Sequence, residues 1–301
     1  MTSKLSSYYF IINPNAGIKT NASALSELIK TQFKDYKIDI GITKKQGHAI
    51  SLARRAKEKK FQCIVVVGGD GTINEILPEM VNSDVTLGII PKGSGNGFAR
   101  ELGLKLYPYL ACKELPNLKP LTIDAGKVND NYFINAAGVG FDASVGNAFE
   151  KFTEGGTRGR WPYFFIVLKQ YLTYKPAPMK IQFDSTQMIT TPLLIAFSNS
   201  KQYGSDVKIS PKAKINDGFF DLTIVPYEKF HKLLMGVPSL WKGKVNEVKF
   251  VKSYKIKKAH IKSKKEILYH TDGEIRKSSG TLDVEVVEKA LKILVPKNYK
   301  P

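Results

Sequence analysis

The chain's 301 residues predict an α/β domain with a parallel sheet over residues 1–125, followed by a mainly antiparallel β-sandwich over 126–301. Two observations carry this reading. In the first part, short β-rich runs alternate with helical patterns, the signature of βαβ units. In the second, apolar runs recur with turn residues between them and helical patterns are few, as in a sandwich.

Taken in order, the first strands fall at Tyr8 to Ile12, Lys37 to Ile42, Gln62 to Val67 and Val85 to Ile90. Helical patterns follow each of them, at Asn21 to Phe33, Gly47 to Lys59, Thr72 to Val81 and Gly95 to Leu102. A Pro-bearing stretch, Leu106 to Pro120, ends the alternation. Strands are then expected at Leu121 to Val128, Tyr132 to Ala137, Met179 to Phe183, Leu193 to Ser198, Phe219 to Val225, Val248 to Phe250, Leu282 to Val287 and Leu291 to Val295. Helices are expected only at Thr157 to Tyr174 and Glu228 to Leu240. There is no internal repeat and no low-complexity linker.

Composition narrows the function classes. With 43% apolar and 24% charged residues the chain is neither disordered nor collagen-like, and two cysteines are too few for a disulfide framework. Cys63 and Cys112 read as reduced thiols, so a cytoplasmic protein is expected. No signal peptide and no apolar run long enough to cross a bilayer is visible, so any membrane contact is expected to be peripheral. Lys and Arg number 46 against 27 Asp and Glu, a formal charge of +19 that favours polyanions: nucleic acid, nucleotide phosphate or anionic lipid.

In a parallel α/β sheet, ligands bind beyond the carboxyl ends of the strands, so the turns there are the places to search. After the third strand comes Gly68-Gly69-Asp70-Gly71-Thr72-Ile73-Asn74-Glu75, a glycine-rich turn opening a helix. Such a turn presents free N–H groups and the positive helix end to an anion. Taken alone it is equally an ordinary turn with Thr72 as a cap. Pro91-Lys92-Gly93-Ser94-Gly95-Asn96-Gly97-Phe98-Ala99, after the fourth strand, is a second such turn and makes a phosphate pocket the stronger reading. Asn13-Pro14-Asn15-Ala16-Gly17 and Thr43 follow the other two strands. Neither a P-loop nor a GxGxxG fingerprint occurs.

Together with Asn135-Ala136-Ala137-Gly138-Val139-Gly140-Phe141-Asp142, Asn216-Asp217-Gly218 and Asp272-Gly273-Glu274, these stretches resemble, in order, the diacylglycerol kinase catalytic-domain family, which includes bacterial lipid kinases and sphingosine and ceramide kinases. The GGDGT turn by itself is shared with NAD kinases and phosphofructokinases; the ordered set is specific. The resemblance implies that Asn13, Gly17, Thr43, Gly68, Gly69, Gly71, Thr72, Asn74, Glu75 and Ser94 hold ATP. It implies that Glu274 or Asp272 is the base for a lipid hydroxyl, with Asp70 as partner for magnesium or that hydroxyl. It further implies a structural Mg²⁺ held by the Asp217 carboxylate and the carbonyls of Lys214 and Phe219. From local sequence alone, Asp272-Gly273 is as readily a hairpin and Asn216-Asp217-Gly218 a type I turn. One departure is that Gly97 stands where bacterial diacylglycerol kinases usually have Asp, which resembles the sphingosine kinases' GSGN and leaves the acceptor lipid open.

Between Lys249 and Lys265 there are eight lysines and no acid, interleaved with Phe250, Tyr254, Ile256 and Ile261. Two half-buried strands with basic solvent faces explain the pattern. A lipid kinase gives the charge a use at an anionic membrane surface, ahead of nucleic acid. The apolar stretches Phe149 to Phe152 and Trp161 to Leu168 are candidate linings for a lipid tail. The four histidines show no metal-ligand spacing and read as surface or packing residues.

The expectation is a lipid kinase using Mg-ATP, with a NAD kinase-like enzyme or a non-catalytic phospholipid-binding protein as alternatives. Self-association as a homodimer is left open.

Overall fold

The computed structural model describes residues 5–17, 22–145, 148, 173–201, 209–228 and 248–301. The expected helices at 157–174 and 228–240 and both candidate tail linings lie wholly or almost wholly outside them. The described residues form two compact units: 1–125 with 215–217 and 287–301, and 126–214 with 218–286.

In the first unit, strands β1 (Ser7–Ile12), β2 (Lys37–Ile42), β3 (Cys63–Gly68) and β4 (Thr86–Pro91) alternate with helices α1 (Ala22–Gln32), α2 (His48–Glu58), α3 (Asp70–Met80) and α4 (Gly97–Glu101). The strand order is β2-β1-β3-β4 and every pairing is parallel. Strands β1, β3 and β4 are buried throughout, as a sheet covered on both faces requires. The side chains of Phe10, Ile29, Phe33, Val65 and Val67 pack into one core with Leu294 from the chain's last strand.

Helix α5 (Pro108–Glu114) lies in the stretch read from sequence as a Pro-bearing break. Pro108 occupies the helix's first turn, where a missing N–H costs no intrahelical bond. Strand β5 (Lys119–Val128) then leads toward the second unit.

The second unit is the antiparallel sandwich. Its strands are β6 (Asn131–Phe133), β7 (Ala136–Gly140), β8 (Met179–Phe183), β9 (Thr186–Thr190), β10 (Pro192–Ser198), β11 (Phe220–Pro226), β12 (Lys252–Ile256), β13 (Lys258–Ser263), β14 (Ile267–Thr271), β15 (Glu274–Ser278) and the first half of β16 (Thr281–Val295). One sheet runs β12-β11-β10-β7-β14-β15; facing it are β16, β13, β8 and β9. Phe133, Val139, Ile181, Phe197, Leu222, Ile261 and Leu282 fill the space between. Strand β13 alternates exposed lysines and histidine with buried Ala259 and Ile261, the half-buried basic strand expected from the lysine-rich sequence.

Four expected strands are placed differently. Val248 to Phe250 forms a turn, closed by the Val251 N–H on the Val248 carbonyl at 2.9 Å. The single strand expected from Tyr132 to Ala137 is broken between β6 and β7, because the N–H groups of Ile134 and Asn135 turn to a side-chain carboxylate, that of Asp272. The two expected after residue 281 are one strand, β16. It kinks at Lys289, whose φ is 51° and whose N–H goes to the Asp124 carboxylate at 2.7 Å.

Candidate active site

The three glycine-bearing turns at the carboxyl ends of β1, β3 and β4 are stitched into one structure. Lys92, buried just past β4, donates from Nζ to the carbonyls of Ala16 at 2.7 Å, Pro14 at 3.0 Å and Asn13 at 3.4 Å. Burial lowers its pKa, and these carbonyls replace the water it has lost. Asn13 donates from Nδ2 to Thr72 Oγ1 at 2.9 Å, joining the β1 turn to helix α3.

Backbones also touch directly. A Cβ on Gly69 would sit 2.9 Å from the Gly93 Cα, and one on Gly93 would sit 2.6 Å from the Gly69 Cα. At Gly17 a Cβ would collide with the Lys92 carbonyl oxygen. These contacts, not the strand ends alone, are what the glycines permit. Asn96 closes the Gly93 to Asn96 turn on itself, accepting from the Gly93 N–H and donating to its carbonyl, both at 2.8 Å.

Asp70 begins α3 and caps α4. Its Oδ2 accepts from the Gly97 N–H at 2.8 Å and its Oδ1 from the Phe98 N–H at 3.1 Å, two donors with no partner inside their own helix. Glu75 plays a similar part for α2, accepting from the Ala49 N–H at 2.7 Å. Thr72 and Asn74 are buried in α3, Gly68 ends β3, and Gly71 and Ser94 lie exposed at the turns. Thr43 follows β2, its N–H on the Ile12 carbonyl at 2.9 Å. The start of α3 carries no side-chain cap, so its first N–H groups suit an anion. This donor set fits nucleotide phosphates.

In the second unit, Asp272 and Gly273 are the central pair of a tight hairpin between β14 and β15, with φ of 50° and 92°, and Thr271 opposite Glu274. Both signs match a type I′ turn. The Asp272 carboxylate reaches back to accept the N–H groups of Ile134 at 2.8 Å, Asn135 at 2.8 Å and Ala136 at 3.0 Å. The Asp272 N–H completes the clasp on the Ala136 carbonyl at 2.9 Å. Asn199 secures the same segment from the other side, donating from Nδ2 to the Ile134 carbonyl at 2.8 Å.

Sequence reasoning gave no role to Lys92 or Asn96. Of the surface and packing alternatives read for the histidines, His270 takes the second: it is a buried partner of Asp142, Nε2 to Oδ2 at 2.9 Å. Lys92 carried a signal: a lysine between a buried strand and a glycine-rich turn has few places to put its charge except on neighbouring carbonyls.

Lys214, Asp217 and Phe219 lie on the turn before β11, with Gly218 at φ 75° and the Ile215 carbonyl accepting the Asp124 N–H at 2.7 Å. Among the described residues no three His, Cys, Asp or Glu side chains gather as a metal site. A cation at this turn would rest on one carboxylate and backbone oxygens, a donor set suited to magnesium. The Phe219 ring is exposed under the ammonium groups of Lys257 at 5.1 Å and Lys255 at 5.9 Å. No helix among the described residues is long and apolar enough to cross a membrane.

The chain is similar to known proteins along most of its length. Residues 7–128 match the diacylglycerol kinase catalytic domain, and residues 135–295 the YegS C-terminal NAD kinase beta sandwich-like domain. The chain is 30% identical over 259 residues to a diacylglycerol kinase of Mycobacterium tuberculosis, covering 82% of this chain and 81% of the relative. It is 28% identical over 295 residues to a diacylglycerol kinase of Staphylococcus epidermidis, covering 96% and 92%. A crystal structure of a Bacillus anthracis diacylglycerol kinase superposes with a TM-score of 0.73 at 22% identity, over 98% of this chain and 99% of that one, and so shares its fold. With both domain models matched along the chain, this protein belongs to the diacylglycerol kinase and YegS-like family of lipid kinases.

Proposed function

We propose that the chain transfers the γ-phosphoryl group of Mg-ATP to the hydroxyl of a lipid, either diacylglycerol, a sphingosine-type base or a related acceptor. The observation that carries this reading is the stitched set of turns, in which Lys92, Asn13 and the Gly69–Gly93 contact hold three strand ends around the uncapped start of α3. Bound Mg-ATP would supply the transferable phosphoryl group and the metal's neutralising charge.

The protein's own residues do the rest. The N–H groups of the β3 and β4 turns bind and orient the phosphates, and Asn13, Gly17, Thr43 and Ser94 complete the nucleotide's surroundings. Asp272 already accepts three backbone N–H groups and is committed to holding the hairpin. We assign the acceptor's proton to Glu274, the next residue but one and the other carboxylate that the family resemblance offers as the base. The acceptor oxygen bonds to phosphorus as the bond to the β-phosphate oxygen breaks, and the hydroxyl proton passes to Glu274. Asp70 is proposed to act beside the magnesium, each oxygen keeping a lone pair beyond the one its backbone donor uses. Asp217 with the Lys214 and Phe219 carbonyls would hold a second, structural magnesium.

The basic strands β12 and β13 support docking on an anionic leaflet, where each lysine near the surface contributes about 1 kcal/mol. A cytoplasmic, peripherally membrane-associated enzyme is the setting that this chemistry favours.

Incubation with γ-labelled ATP and a panel of diacylglycerol, sphingosine, ceramide, phosphatidylglycerol and polyprenol, with NAD in a parallel reaction, tests the proposal. Label in one of the lipids is expected. Label in NAD alone would establish a NAD kinase-like activity instead, and label in neither would contradict the proposal.

A further inference from the structure

We infer that His270, held by Asp142, is a positioning residue for Glu274, an inference that rests on the reading of Glu274 as the base. A tight two-residue hairpin leaves the N–H groups of its central pair outside the strand ladder. The Asp272 N–H goes to the Ala136 carbonyl, and the Gly273 N–H goes to the side chain of His270, at Nδ1 and 3.3 Å. An N–H donor aimed at Nδ1 requires that nitrogen to be the unprotonated one. The ring's proton is then on Nε2, where it is donated to Asp142 Oδ2 at 2.9 Å. Asp142 therefore sets the tautomer, and the tautomer sets whether Gly273 has an acceptor.

The geometry around the pair is closed. The side chains of His270 and Asp142 keep only 11% and 17% of their exposure. Asp142 lies just beyond β7, and β7 pairs with β14 so that His270 faces Gly138. The ring is thus fixed to β14, and the carboxylate to the helical turn that directly follows the neighbouring strand β7. The residue before Glu274 is anchored by this ring, and the residue before that by its own carboxylate on Ile134, Asn135 and Ala136. With both turn residues anchored, the Glu274 backbone has one position. Small misplacements of a catalytic group are costly, about 100-fold for 1 Å.

Two kinds of measurement test this. In the intact protein, ¹⁵N spectra of the histidine rings, with His270→Gln assigning the resonance, are expected to place the proton of the neutral ring on Nε2 and not on Nδ1. The opposite tautomer would overturn the inference, whether or not any variant folds or any substrate is known.

In phosphoryl transfer from ATP to the lipid that the panel identifies, His270→Ala and Asp142→Ala are each expected to lower kcat by about 10- to 100-fold, with KM for ATP within about twofold of the parent. The double variant should be no slower than the slower single one, because both break the same chain of contacts. His270→Asn can place its amide oxygen near the Nδ1 position and should recover part of kcat, whereas His270→Gln, which reaches Asp142 but not Gly273, should not. Multiplying losses in the double variant, or a raised KM for ATP at unchanged kcat, would overturn it. If no acceptor is phosphorylated, or Glu274→Gln is as fast as the parent, the reading of Glu274 fails, an outcome that the tautomer measurement keeps distinct.

Discussion

The ammonium of Lys92 donates to the carbonyl of Ala16 at 2.7 Å, tying the turn after the fourth strand to the turn after the first. With its further bonds to Pro14 and Asn13, this one side chain replaces water for three backbone carbonyls. Lys92→Met keeps the length and removes the donors. It should cost about 1–3 kcal/mol of stability and raise KM for ATP more than it lowers kcat. Denaturant unfolding and ATP-dependence of the rate check the two parts; a variant with parental KM for ATP would show that the tie does not shape the nucleotide site.

Gly69 and Gly93 offer a steric test of the same region. Gly93→Ala would put a methyl carbon 2.6 Å from a backbone Cα, which cannot swing away. Loss of nucleotide binding by tenfold or more, on the order of 1.4 kcal/mol, is expected in calorimetric titration. Gly95→Ala, whose nearest contact would be Asp70 Oδ2 at 3.7 Å, should lose much less.

The two carboxylates of the hairpin should separate cleanly. Asp272→Asn turns an NH₂ group toward backbone N–H donors and is expected to destabilise the second unit by about 1–3 kcal/mol. Glu274→Gln should melt with the parent yet lose about 10²–10⁴ in kcat, the range typical of a general base. The reverse pattern would exchange the roles assigned to them.

Much of this arrangement is legible in the sequence, and the reasons for the rest are physical. Strand and helix periods place β1 to β4 and α1 to α4 within two residues, since a buried parallel strand and an amphipathic helix each impress their period on the residues they bury. Glycines mark all three turns for a different reason, because backbones meet there at distances that leave no room for a Cβ. What no period reveals is a side chain's choice of a distant backbone: Asp272 breaking the strand at Ile134 and Asn135, Lys92 crossing to Ala16, His270 paired with Asp142 at a separation of 128 residues. The return of residues 287–301 to the first unit is equally silent, because a β-strand reads alike whichever sheet it joins.

Acid stability provides a further prediction. The hydrogen bond from Arg54 holds the Glu79 carboxyl below its ordinary value of 4.5, against the opposing effect of burial and with Lys57 assisting. Because the folded value is depressed, the stabilisation is complete above that pH and disappears as pH falls through the folded value. Glu79→Gln should therefore lose about 1 kcal/mol or less at neutral pH and show a shallower loss of stability below pH 4.5. Thermal melts from pH 3 to pH 7 (roughly the span in which a carboxylate titrates) check it; parallel curves for variant and parent would remove Glu79 from the acid response.

The most direct test of the central claim follows ³²P from γ-labelled ATP into organic-extractable product, with parent and Glu274→Gln assayed side by side on the lipid panel. The predicted result is a phosphorylated lipid from the parent, with the variant slower by about 10²-fold or more at unchanged nucleotide affinity. Label that never leaves the aqueous phase, or equal rates from both proteins, would contradict it.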